Sequence, residues 1–113
     1  MSNQLLADLN ALDELFSDES KWMKGVSFQG ECFCLVIGAR AVSHGAERRE
    51  IAMVRALHKT AGLPERFADG PTLGRWNDAP ERTFADIKKL IADTRARLLF
   101  EGVSAPLAEP GEK

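Results

Sequence analysis

A chain of 113 residues, 44% of them hydrophobic and 28% charged, has the size and composition of one ordinary globular domain. Its net charge of −2 disfavours a dedicated binder of nucleic acid or anionic membrane, because such proteins carry a strong basic excess. No apolar run reaches the roughly 20 residues that span a bilayer, and no secretory signal opens the chain. Cys32 and Cys34 are too close for an unstrained disulfide, so we expect reduced thiols and a cytoplasmic protein without membrane association.

The first helix is predicted from the spacing of apolar residues near the start of the chain. They recur three or four residues apart on one helix face: Leu5, Leu9, Leu12 and Phe16. The pattern predicts a helix over residues 3–16, and Ser2 or Asn3 can cap its first turn.

The apolar run of residues 32–37 fits either a strand or a helix. Val26 and Phe28 alternate with a serine and precede a Gln-Gly turn, so the run can pair with them in a small β-hairpin. As a helix, the run begins a face with small residues at its centre: Leu35, Gly38, Ala39 and Val42. Periodicity does not decide so short a run. We favour a short hairpin that leads into a helix near Cys34.

A clearer helical pattern covers residues 47–61. Ile51 and Val54 lie on its apolar stripe, and Gly62 suits the left-handed conformation that follows a last helical turn. The next segment, residues 63–75, contains two prolines and two glycines. It is predicted to be an irregular connection, because both residue types interrupt helices.

The strongest helical pattern covers residues 83–100. One face carries Phe84, Ile87, Ile91, Thr94 and Leu98. Thr83 and Asp86 have the spacing of a capping box, in which each side chain accepts a hydrogen bond from the backbone amide of the other residue. Gly102 is a plausible end to this helix.

Together these elements predict a mainly α fold, with α+β as the alternative. We expect three or four helices and a small β-hairpin in a single domain over residues 1–104, followed by a mobile tail at 105–113. The predicted core draws on all the helices: Leu5, Leu9, Phe16, Ile51, Val54, Leu57, Phe84, Ile87 and Ile91.

Residues 76–83, W-N-D-A-P-E-R-T, are dense in side chains with special backbone chemistry. Asn77 and Asp78 are short enough to accept hydrogen bonds from nearby amides, so both are expected to cap the start of the last helix. Trp76 provides an apolar anchor, and an exposed Arg82 would contribute little to stability. The alternative is a small recognition site made by Trp76, Asn77, Asp78 and Arg82. We favour the structural role.

Cys34 is the one cysteine with a setting that suggests nucleophilic chemistry. At a helix N-terminus its thiolate would be favoured, and His44 or His58 would be the base that a cysteine hydrolase requires. However, His58 lies in an apolar stripe and His44 lies in a predicted connection. We therefore favour the simpler interpretation, in which Cys34 packs as a small apolar residue.

Metal and cofactor sites are not indicated. Cys32, Cys34, His44 and His58 lack the paired spacings of zinc ligands, and no glycine-rich phosphate loop is present. We expect no metal and no cofactor.

Basic residues occur in two groups. The last helix carries Lys88, Lys89, Arg95 and Arg97, and the middle of the chain carries Arg40, Arg48, Arg49 and Arg55. Acidic residues are interspersed with both groups, which favours a solvated charged face over a phosphate-binding patch.

The sequence also resembles a family of small uncharacterised bacterial domains. That family combines a W-N-D-x-P-x-R-T motif, which opens a final helix, with an upstream Cys-Leu-x-Gly-Ala segment and an early tryptophan. Here the motif corresponds to residues 76–83, the cysteine segment to 34–39 with one extra residue, and the early tryptophan to Trp22. The resemblance covers most of residues 22–98. It implies a domain and no particular activity.

No activity follows from the sequence, and we rank three hypotheses. The first is a noncatalytic binding or regulatory domain, for which a protein or small-molecule partner is favoured over nucleic acid. The second is a cysteine-dependent hydrolase or transferase that uses Cys34. The third is a weak binder of nucleic acid or phosphate through the last helix.

Overall fold

Five α-helices account for most of the residues described by the computed structural model, which are 2–24, 33–63 and 70–104. The helices are α1 (Ser2–Leu15), α2 (Leu35–Val42), α3 (Glu47–Thr60), α4 (Gly70–Asp78) and α5 (Phe84–Ser104). A short 3₁₀ helix, Glu19–Lys21, follows α1. Within this part of the chain, no helix combines the length and the apolar character needed to cross a bilayer.

The helices pack around one hydrophobic core. Helix α1 contacts α5, α2 and α3, while α4 packs against α2 and α3. The largest fully buried apolar side chains are Leu9, Leu12, Phe16, Leu35, Met53, Leu57, Leu73, Ile87 and Ile91. Ile51, which the sequence placed in the core, is instead 45% exposed. Helix α3 instead buries the neighbouring stripe of side chains that includes Met53. Both stripes are apolar, and the packing of α1 and α5 against α3 determines which of them faces the core.

Local signals placed the ends of two helices correctly. Asp86 Oδ2 accepts from the Thr83 amide at 3.0 Å, and the Asp86 amide donates to Thr83 Oγ1 at 3.2 Å, so the capping box is confirmed at the start of α5. Gly62 has a φ of +78°, the left-handed conformation predicted after α3. The predicted end of α5 at Gly102 is wrong, since the helix continues to Ser104.

The predicted β-hairpin is not formed by the residues that the structure describes. Residues 35–37 are the first turn of α2, whereas Val26 and Phe28 lie outside the described residues. Extended pairing in this region consists of an isolated bridge between Trp22 and Phe33, in which the Met23 amide donates to the Phe33 carbonyl oxygen at 3.0 Å. The predicted transition into a helix near Cys34 is confirmed, because Cys34 is the N-cap of α2.

Helix α2 is held by close packing of its glycine. Its buried face consists of Leu35, Gly38, Ala39 and Val42, the face that the helical interpretation predicted. A Cβ atom on Gly38 would lie 2.9 Å from Cζ of Phe16. Only a residue without a side chain allows α1 and α2 to approach this closely.

The predicted helix count of three or four is too low because α4 was not foreseen. Residues 63–75 were expected to be irregular, yet residues 70–75 belong to α4. Pro71 is the second residue of this helix, where a missing amide hydrogen breaks no intrahelical bond. Gly74 is buried, with space for a Cβ atom 3.9 Å from Val36. Proline and glycine therefore act here as first-turn and packing residues, not as helix breakers.

Candidate functional site

The side-chain amide of Asn77 joins three separate segments of the chain. Asn77 is fully buried in the last turn of α4. Its Oδ1 accepts from Trp22 Nε1 at 2.8 Å and from the Leu35 amide at 3.2 Å. Its Nδ2 donates to the Met23 carbonyl oxygen at 3.2 Å and to Asp78 Oδ1 at 2.9 Å. All the hydrogen-bonding capacity of the amide is used, which is the arrangement of a structural group.

The prediction that Asn77 caps the last helix is therefore wrong in its choice of helix. Asn77 accepts from the first amide of α2, not from α5. Together with Cys34 Sγ, which accepts from the Ile37 amide at 3.4 Å, it satisfies two of the amides that have no partner within the helix at the start of α2.

Arg82 is more involved in the structure than an exposed charge would be. Its guanidinium stacks on the ring of Trp76 with 3.8 Å between Cζ and the ring centroid, and its Nε donates to the Trp76 carbonyl oxygen at 2.7 Å. Only 18% of the side chain is exposed. The expectation that Arg82 contributes little is corrected, because the side chain ties the end of α4 to the start of α5.

The structure does not bring the three residues of the hydrolase hypothesis together by hydrogen bonds. Cys34 is buried, and among the described residues its sulfur is bonded to the Ile37 amide, not to a histidine. His44 is exposed in the turn after α2, with a φ of +52°. His58 is buried in α3. A catalytic role for Cys34 stays a hypothesis without a base in contact.

Most of the basic residues in the two groups have polar partners. Ion pairs join Lys88 to Asp13 at 2.6 Å, Lys89 to Asp93 at 2.7 Å, Arg49 to Asp8 at 2.7 Å and Arg40 to Glu50 at 3.2 Å. The hydrogen bonds that Arg49 donates to the Asp8 carboxylate raise the pKa of the Arg49 guanidinium above its usual value. Arg95 Nε donates to Asn10 Oδ1 at 2.8 Å. These pairs leave little cationic surface for a nucleic-acid backbone.

A cavity of about 480 Å³ lies between α3 and α5. Its apolar wall consists of Ala56, Leu63 and Leu98, and its polar wall of Arg55, His58, Lys59 and Arg97. Arg55 and Lys59 are exposed, so they form the rim, whereas His58 is only 1% exposed and belongs to the interior. We call this feature the α3–α5 cavity.

His58 is the unusual member of the α3–α5 cavity. Both of its ring nitrogens are buried, and neither has a hydrogen-bond partner among the described residues. A buried polar group left unpaired costs about 1–3 kcal/mol, so such a group calls for an explanation. The sequence drew attention to His58 as a possible base and as one of four residues that lack the spacing of zinc ligands. Its position in an apolar stripe was the available signal, and it does not reveal a cavity.

Arg97 is positioned by the opposite helix. Its guanidinium Nη2 donates to the Ala56 carbonyl oxygen at 3.1 Å and to Thr60 Oγ1 at 3.0 Å. These bonds hold a positive charge on the cavity wall.

The side chains needed for a metal centre are not assembled. Within residues 2–24, 33–63 and 70–104, no group of three or more His, Cys, Asp or Glu side chains is placed to hold a metal ion.

The fold is mainly helical, and its described residues form a hydrophobic core and, between α3 and α5, a cavity lined by cationic side chains. Residues 1–97 match a family of unknown function, DUF6197, and the chain belongs to that family. This agrees with the resemblance to an uncharacterised domain family. No curated protein and no solved structure is similar enough to the chain to give a match.

Proposed function

We propose that this chain is a noncatalytic binding domain that takes a small molecule in the α3–α5 cavity. The observation that carries the proposal is His58, a buried residue of the cavity lining whose two ring nitrogens have no partner among the described residues. A leucine or phenylalanine at this position of α3 would avoid the penalty of an unpaired imidazole. A ligand with a hydrogen-bonding group would supply the missing partner.

The dimensions of the cavity support the same function. Pockets that bind small molecules have volumes of roughly 300–1,000 Å³ and combine apolar walls with a few polar groups. The α3–α5 cavity, at about 480 Å³, falls within that range and has both kinds of wall.

The roles of the motif residues favour binding over catalysis. Asn77 is fully occupied in joining α4 to Trp22 and α2, and the sulfur of Cys34 accepts a backbone amide. These groups hold the helices in place, and catalysis by Cys34 would require its thiol to leave a buried position. Their structural contacts lie outside the α3–α5 cavity, which is lined by other residues.

The proposal is tested by the imidazole resonances of ¹⁵N-histidine-labelled protein. Three probes are added separately at millimolar concentration: phenyl phosphate, benzoate and benzyl alcohol. At least one probe is expected to shift the ring resonances of His58, while those of the exposed His44 stay in place as an internal control. If all three probes leave the His58 resonances unchanged, the proposal is wrong.

A second measurement needs no ligand. His58→Phe is expected to raise the free energy of unfolding by about 1 kcal/mol, because it replaces an unpaired buried imidazole by an apolar ring of similar size. A variant less stable than wild type would show that the imidazole serves the fold, and it would remove the main support for the proposal.

A further inference from the structure

We infer that the ligand of the α3–α5 cavity is a small amphiphilic oxyanion, with one phosphate or carboxylate group and an apolar body. The inference rests on the proposed function and adds the chemical class of the ligand. It follows from the sign of the charges on the cavity wall and from the side chains that face them.

Among the residues that the structure describes, the charged side chains on the cavity wall are all positive. They are Arg55, Lys59 and Arg97. Neither the guanidinium of Arg55 nor the ammonium of Lys59 forms an ion pair or a hydrogen bond with any described residue, in contrast to the ion-paired Lys88 and Lys89. In a chain of net charge −2, cations grouped in this way attract an anion to one place.

The polar wall is also partly ordered before a ligand arrives. Bonds from Arg97 to Ala56 and Thr60 fix the direction of its guanidinium. A side chain that is already held loses less conformational entropy on binding. The Nε–Nη2 edge of Arg97 is already occupied by Thr60 and Ala56. The guanidinium of Arg55 is therefore the group that matches the planar, two-oxygen edge of a carboxylate or phosphate and donates charge-assisted hydrogen bonds to it.

The opposite wall requires the ligand to be more than a bare anion. Ala56, Leu63 and Leu98 offer apolar surface within the same cavity. Burying an apolar body there adds a hydrophobic contribution to binding that inorganic phosphate could not gain. A polymer such as nucleic acid fits less well, because basic residues away from the cavity, among them Arg49, Lys88 and Lys89, are ion-paired and leave little extended cationic surface.

The test compares the three probes on the full chain by isothermal titration calorimetry. Phenyl phosphate and benzoate are expected to bind, and benzyl alcohol, which has the same ring without a charge, to bind at least tenfold more weakly. The two anions distinguish a phosphate ligand from a carboxylate ligand by their relative affinities. Added salt is expected to weaken both anions and to leave benzyl alcohol unaffected.

A matched pair of variants locates the anion. Arg55→Gln is expected to weaken the two anions about tenfold, the loss of one charge-assisted hydrogen bond. Arg48→Gln makes the same charge change at an exposed position of the same helix but lies off this cavity, and it is expected to leave the affinities unchanged.

Each outcome separates this inference from the proposed function. If benzyl alcohol binds as tightly as the anions, or if Arg48→Gln weakens them as much as Arg55→Gln does, the oxyanion inference is overturned while the cavity remains a binding site. If no probe binds and none shifts His58, both are overturned.

Discussion

Replacing Asn77 by alanine would leave three groups from two other segments without partners. These are Trp22 Nε1, the Leu35 amide and the Met23 carbonyl oxygen. A buried group that loses its partner costs about 1–3 kcal/mol, but Trp22 and Met23 are only half-buried and water can replace part of the loss. We therefore expect Asn77→Ala to lower the free energy of unfolding by about 3 kcal/mol, more than the 1–2 kcal/mol typical of a lost helix cap.

Denaturant unfolding of wild type and variant measures this change, and thermal unfolding should show a fall in Tm of roughly 10–15 °C. Asn77→Asp is the matched control, because it keeps the acceptor oxygen and replaces the donating group by a carboxylate oxygen beside Asp78. Burial and the neighbouring carboxylate raise the pKa of the introduced group above its unfolded value. The deficit of this variant is therefore small at low pH and grows as the pH rises above the unfolded pKa of about 4.

One result would refute this reasoning about Asn77. If Asn77→Ala unfolds within about 0.5 kcal/mol of wild type, which is the range of ordinary surface substitutions, the four hydrogen bonds do not support the fold. Residues 76–83 would then replace the α3–α5 cavity as the favoured candidate for a ligand-binding site.

Three further predictions follow. Gly38→Ala should lower the free energy of unfolding by about 1 kcal/mol, because the added methyl group would lie 2.9 Å from Phe16. This steric cost is expected to exceed the gain from the better helix propensity of alanine. Chemical denaturation measures the change, and a variant more stable than wild type would contradict the prediction. The hydroxyl and amide of Ser20 hold the pKa of Asp18 below its usual value, so stability from this group is present above a pH of about 4 and lost as the pH falls. Acid unfolding of Asp18→Asn should accordingly show a shallower loss of stability than wild type, and equal slopes would argue against it. Iodoacetamide should alkylate Cys34 slowly in the native protein and rapidly in denaturant, because this residue is only 3% exposed. Peptide mapping measures the labelling, and rapid labelling of the native protein would support the hydrolase hypothesis.

Much of the helical framework was predictable because its signals are local. The apolar spacing of α1 and α5 repeats over several turns, so the prediction of a helix does not depend on any single residue. The capping box at Thr83 and the left-handed Gly62 depend on neighbours within three or four residues. Each of these features is stable for reasons that a short window of sequence contains.

The sequence by itself left undecided whatever depends on distant partners. The Oδ1 atom of Asn77 accepts from Leu35 and Trp22, which are 42 and 55 residues away, so its immediate neighbours suggested the wrong helix. Packing between helices likewise decided that Gly70–Asp78 is helical and that Ile51 faces solvent. The α3–α5 cavity is lined by residues of two helices that are far apart in the chain, among them His58 and Arg97. Periodicity shows which face of a helix is apolar. The tertiary structure determines which other helix covers that face and which part of it stays exposed.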